Sequence, residues 1–223
     1  MEKAGVTGKA YRDRMNWENI NYAQYHGCKP YDIPRMLPCS RLEVKRWIGF
    51  GEAAHCPAGL RRSTGIHFWL LDSYFRCIWE QPKRYRDFLM QFGAVCSPEF
   101  SVYDAFPAAL RIYNMYRNAW LARYWAESGI NVVPSVLWSY AGDSEYIWDI
   151  YPRDSILALS TVGCMRGKAA RDWTERGTAE MEEKLNPRMV LLHGIPPQSL
   201  TVPYVQIEPF TTGMHRRISK GGG

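Results

Sequence analysis

Two carboxylates, a histidine, several hydroxyls and an arginine stand in this chain where chemistry is expected, most of them just beyond a short apolar run. Asp72-Ser73 follows Ile66-His67-Phe68-Trp69-Leu70-Leu71, and Ser97-Pro98-Glu99 follows Gly93-Ala94-Val95-Cys96. Trp138-Ser139 follows Asn131 to Leu137, Ser160-Thr161 follows Ser155 to Leu159, and His193-Gly194 follows Arg188 to Leu192. Two carboxylates on one rim, Asp72 and Glu99, can act as nucleophile and general acid or base when one is ionised and burial shifts the other upward. Each can equally cap the helix that follows or pair with an arginine. Ser160-Thr161-Val162-Gly163 offers two hydroxyls and a glycine as a cradle for phosphate, but it lacks the length of a Walker loop, which disfavours triphosphate hydrolysis. His193 can donate to a ligand or be satisfied structurally. Arg117, beside a helical stripe, needs an anionic partner, and Asn114 one turn earlier is placed to share it. No G-x-S-x-G, H-E-x-x-H, G-x-G-x-x-G or kinase set occurs.

Such residues share a rim only if the runs before them are parallel strands. Apolar runs that each stop at a small or polar residue and hand over to a helix-like segment are the signature of β-α units. The expected fold is α/β, with a parallel sheet of about five or six such units, either an incomplete TIM-like barrel or an open doubly wound sheet. In both, ligands bind at the carboxyl ends of the strands. A first strand is expected at Val44 to Phe50. Helices are expected at Gln81 to Gln91, Pro107 to Ser128 and Ala169 to Leu185, the second with a stripe of Ala109, Tyr113, Tyr116, Trp120 and Tyr124. Residues 1–43 read as an extension that wraps on the domain, 44–210 as a single α/β domain, and 211–223 as a basic, Gly-rich tail.

The charge favours an anionic partner: 28 Lys and Arg against 22 Asp and Glu give +6. Arg61, Arg62, Arg216 and Arg217 are the candidate phosphate contacts, although such clusters are also ordinary solvated surface. Nine Trp and fourteen Tyr exceed ordinary packing needs, which leaves room for stacking on bases. No run approaches a membrane span and the first residues lack a signal-peptide core, so a soluble, cytoplasmic protein without membrane contact is expected. The six cysteines form no C-x-x-C pair. No cofactor is expected, with a structural zinc at Cys28, Cys39, His55 and Cys56, helped by His26, as the alternative.

The block from His67 to Gly194 resembles a family of uncharacterised proteins, a domain of unknown function found in phages, plasmids and other mobile elements. The resemblance rests on Phe68-Trp69-Leu70-Leu71-Asp72-Ser73-Tyr74, Trp79 with Pro82 and Tyr85, and Ser97-Pro98-Glu99-Phe100-Ser101. It continues through Asn114-x-Tyr116-Arg117-Asn118-x-Trp120, Tyr124-Trp125, Gly129 to Pro134, Ser160 to Gly163, and Leu185-x-Pro187. The family usually has a second acid where Ser73 stands and Asp where Glu99 stands. In pattern alone the chain is also similar to the tRNA-guanine and DNA 7-deazaguanine transglycosylases, although their zinc motif is missing. That likeness implies base exchange, with Asp72 or Glu99 as nucleophile, the other moving the proton, and Trp138 stacking the base. Ser73, Ser97, Asn114, Arg117, Ser160, Thr161, Gly163 and His193 would then line the substrate site. Two further readings stay open. One is a non-catalytic DNA- or RNA-binding accessory factor in replication or host takeover, and the other is a phage factor that binds a host protein or sequesters a nucleotide.

Overall fold

The computed structural model describes residues 18–139 and 144–207. The strands are β1 (Arg46–Gly49), β2 (Thr64–His67), β3 (Ala94–Cys96), β4 (Val132–Val133), β5 (Ser135–Val136), β6 (Ile156–Ser160), β7 (Met189–His193) and β8 (Tyr204–Ile207). All pairings are parallel and follow chain order, β1-β2-β3-β4 and β5-β6-β7-β8. Pro134, which has no N–H to give the ladder, separates β4 from β5 in what is otherwise one chain path. Its carbonyl still accepts from Ala158 N–H at 2.8 Å, so the two halves share that strand.

Alternation along the strands explains why the sheet curls. Ile48, Ile66, Val95, Val132, Val136, Leu157, Leu159, Val190 and Leu192 face the helices in the larger core. Residues of opposite parity, Trp47, Cys96, Val133, Ile156, Ala158, Met189, Leu191 and Ile207, meet in a second core together with Cys39, Leu42 and Trp69. A residue of β1 can share a cluster with residues of β6 to β8 only if the strands curve round a common interior. The strand order never reverses, which excludes the doubly wound alternative. Trp47 fills this interior above Gly65, where a Cβ would lie 2.5 Å from the indole. Among the described residues no pairing joins β1 to β8, so the barrel that they form is not closed.

The helices are α1 (Ala58–Arg61), α2 (Asp72–Phe75), α3 (Cys77–Glu80), α4 (Pro82–Leu89), α5 (Ala108–Glu127), α6 (Ser144–Ile147) and α7 (Lys168–Leu185). α5 lies close to its expected span, but its buried face differs: Asn114, Met115, Asn118, Ala119, Trp120, Leu121, Ala122, Tyr124 and Trp125 are buried, whereas Ala109 and Leu110 are exposed. β2 also departs from expectation. It ends at His67, so Phe68 to Leu71 leave the sheet and Asp72 opens α2 instead of closing a strand.

The described part of the extension wraps on the domain. Ala23 accepts from Trp120 Nε1 on α5 at 3.1 Å. Further on, Cys39 bridges antiparallel to Ile156, and Arg41 accepts from Asn131 at 2.9 Å. Residues 36–42 therefore cover the amino ends of the strands and leave the carboxyl ends alone. Among the described residues no helix is long and apolar enough to cross a membrane.

Candidate functional site

The inward positions at the carboxyl ends of the strands are His67 on β2, Ser135 on β5, Ser160 on β6 and His193 on β7. Ser160 and His193 are register partners, and Ser160 Oγ lies 3.0 Å from His193 Nδ1. Trp69, just beyond β2, stacks on both imidazoles, with ring centroids 4.9 Å from His67 and 4.7 Å from His193. His67 and His193 are themselves 5.5 Å apart, so the ends of β2 and β7 face each other across the mouth.

Glu99 completes this cluster. Trp69 Nε1–H donates to Glu99 Oε1 at 2.7 Å. Ser135 stands beside the carboxyl, but its hydroxyl makes no hydrogen bond of normal geometry. Glu99 keeps part of its surface accessible yet is packed deep among protein atoms, and burial pushes its carboxyl up to about 7 against the pull of Trp69 and Ser135. No cation holds it down. Burial acts in the opposite sense on the bases: His67 falls to about 3, helped by His193, and His193 falls to about 4. At neutral pH the mouth therefore holds two uncharged imidazoles and one carboxyl poised between its two forms.

A clamp behind Glu99 explains most of the remaining candidates. Asn118 of α5 accepts from Phe100 N–H at 2.7 Å and donates to the Phe100 carbonyl at 3.1 Å. Asp72 accepts from Ser101 N–H at 3.1 Å and Ser101 Oγ–H at 2.9 Å. Asn114 donates to the Ser101 carbonyl at 2.5 Å and accepts from Arg117, whose guanidinium lies 3.7 Å from the Phe100 ring centroid. Burial lowers the Arg117 pKa, and the neighbouring Tyr113 and Asp72 partly restore it. Ser97 accepts from Ser135 N–H at 2.7 Å and ties the β3 turn to β5. Asp72, Asn114, Arg117 and Ser97 thus hold the turn that presents Glu99. Asp72 turns to Ser101, and no Asp72 charge registers at Glu99.

Other candidates lie elsewhere. Trp138 packs away from the mouth on α7, where a Cβ on Gly177 would come within 2.2 Å of its indole. Thr161 Oγ1 donates to the Ile195 carbonyl at 2.7 Å and so joins two loops of the rim. Gly163 is exposed at a positive φ of 84°, and Ser73 is exposed on α2. Arg61 and Arg62 precede β2, at the end of the barrel opposite Glu99. Arg61 is internally engaged, donating to the Cys56 carbonyl at 3.1 Å and to Gln91, whereas Arg62 is exposed. Arg216 and Arg217 lie outside the described residues. The cysteines of the zinc alternative point to separate partners: Cys28 to the Asp149 carbonyl, Cys39 to Asn131, Cys56 to Arg46. Among the described residues no group of three or more His, Cys, Asp or Glu could hold a metal ion.

Sequence reading passed over His67, Trp69, Ser135 and Cys164 as site residues. The Cys164 thiol is raised by burial and by the charge of Glu99, which places it near the carboxyl although the residue as a whole is exposed. The available signal was parity: in a barrel, His67 shares the inward face with Gly65, two residues before it.

An α/β fold of parallel strands curved into an incomplete barrel, with a buried acid at its carboxyl mouth, is the class of structure these residues form. The chain belongs to the family described as Domain of unknown function (DUF4417), whose pattern matches residues 25–211. It is similar to the Gene 1 protein of Mycobacterium phage L5, at 26% identity over 170 residues, covering 76% of this chain and 74% of that protein. The Gene 1 protein of Mycobacterium phage D29 is 30% identical over 164 residues, 74% of this chain and 60% of that protein. No solved structure matches at a significant level.

Proposed function

We propose that this chain is a base-handling enzyme of the phage type, acting on nucleic acid or a nucleotide at the carboxyl mouth of the barrel, with exchange of a base at an N-glycosidic bond as its most concrete form. The observation that carries the reading is the Glu99 carboxyl at about 7, fixed by Trp69 in a mouth of neutral rings. A group whose pKa matches the ambient pH is suited to move protons both ways. Protonated Glu99 gives its proton to the departing base as the bond from the sugar carbon to the base nitrogen breaks, the electron pair leaving with the base. The incoming base attacks the same carbon through a ring nitrogen, and its N–H proton passes to the Glu99 carboxylate, which restores the acid. Asp72 is not needed in this sequence, and His193 with Ser160 supplies hydrogen bonds to the ring.

The test is incorporation of labelled purine and 7-deazapurine bases into oligonucleotides and nucleosides. Glu99→Gln is expected to slow exchange by about 100- to 10,000-fold with the fold intact. Equal rates in the two proteins would overturn the assignment.

A further inference from the structure

Among the described residues, five large apolar side chains are more than half exposed: Leu71 at 67%, Tyr74 at 66%, Tyr103 at 62%, Ile195 at 61% and Val162 at 52%. All five stand on the segments that leave the carboxyl ends of β2, β3, β6 and β7, around the mouth that holds Glu99. Isolated exposed apolar residues are ordinary, but gathering the most exposed ones on a single rim is not. The amino end of the barrel, by contrast, is covered by residues 36–42.

Charge selects the occupant. The loop from β6 carries Arg166, and the first turn of α7 adds Lys168 and Arg171, with no acid before Asp172. Neither Arg166 nor Lys168 joins an ion pair among the described residues. Two acids of the same rim are turned to internal donors, Asp72 to Ser101 and Glu99 to Trp69. We infer that this rim binds single-stranded nucleic acid, with bases stacked on Tyr74 and Tyr103, aliphatic contact from Leu71, Val162 and Ile195, and phosphates on Arg166 and Lys168. Unpaired bases carry both an apolar face and a charged backbone, which is the combination displayed here. Only an unpaired or extruded base can leave the strand to reach a carboxyl set in from the surface. The inference takes its chemistry from the Glu99 reading and names the substrate class of that site.

The test is fluorescence anisotropy of the full chain with labelled 12-nucleotide DNA and RNA strands, a duplex of the same sequence, and free nucleotides, at low and moderate salt. Single strands are expected to bind best. Tyr74→Ser and Tyr103→Ser are each expected to weaken binding by about tenfold without lowering the melting temperature. Arg166→Gln with Lys168→Gln is expected to reduce the slope of log affinity against log salt by about 1.4. Duplex binding equal to single-strand binding, unchanged affinity in the tyrosine variants, or response to free nucleotides alone would overturn the inference. So would self-association of the chain that the same tyrosine variants abolish. The two readings fail separately: strand binding that persists while turnover ignores Glu99 removes the chemistry alone, and Glu99-dependent turnover of free nucleosides without strand binding removes this inference alone.

Discussion

Replacing Glu99 by glutamine should stabilise the protein, and only above the acid range. The amide keeps an oxygen to accept from Trp69 Nε1–H, now 2.7 Å from the carboxyl, and it removes the ionisation. In the folded chain this carboxyl titrates near 7, against an ordinary 4.5. Below 4.5 it is protonated in both folded and unfolded chains, so glutamine changes little. As pH rises from 4.5 to 7 the unfolded chain releases the proton first, the folded state binds more protons, and stability falls. Above 7 the folded chain carries a buried carboxylate at a cost of about 3 kcal/mol. For a domain of this size that is roughly 10 °C in melting temperature. The assay is thermal and denaturant unfolding of both proteins from pH 4 to pH 9. The difference between them should be near zero at pH 4, open between pH 5 and 7, and level off at about pH 8. A difference independent of pH would refute the assigned environment of Glu99. The histidines set the opposite limb. With folded values near 3 for His67 and 4 for His193 against an ordinary 6.5, both proteins should lose stability as pH falls from 6.5 toward 4, because the unfolded chain takes up protons first.

Asp72→Asn separates support from chemistry. It weakens two hydrogen bonds from Ser101 and should cost about 1–3 kcal/mol in denaturant unfolding while leaving turnover within about tenfold; a loss as deep as that of Glu99→Gln would restore the carboxylate pair. Gly177→Ala puts a Cβ 2.2 Å from the Trp138 indole and should destabilise by about 1–3 kcal/mol, seen as a shifted urea midpoint with an unchanged slope; an unchanged midpoint would show that Trp138 is free to move, as a base-stacking residue would need to be.

The β-α order and the helix spans were legible because strands buried on both faces read as continuous apolar runs and helices end at Gly129 or before Pro187. Inner and outer faces were not legible, since both are apolar and only the curl of the sheet separates Val190 from Leu191. The same ambiguity hid the end of β2: Phe68 to Leu71 are as apolar as a strand but pack outside it, so the apparent strand end falls at Asp72 and the true one at His67. The place of Glu99 just beyond β3 was legible because a Pro-acid turn after a strand is a local pattern. The burial that shifts it depends on Trp69, Ser135 and the imidazoles, which come from different strands.

The charges around the mouth are segregated, and that segregation is what gives Glu99 its character. Arg117 lies against the β3 turn with its guanidinium held over the Phe100 ring and Asn114 as acceptor, and its charge does not register at Glu99. Asp72 and Glu18 are the carboxylates whose charge it feels. Had Arg117 faced Glu99, the acid would sit in the ordinary range and serve only as an ion-pair partner. Placing the ion-compatible pair behind the turn and neutral imidazoles in front leaves burial unopposed by any cation, so Glu99 is the residue left able to exchange a proton near pH 7.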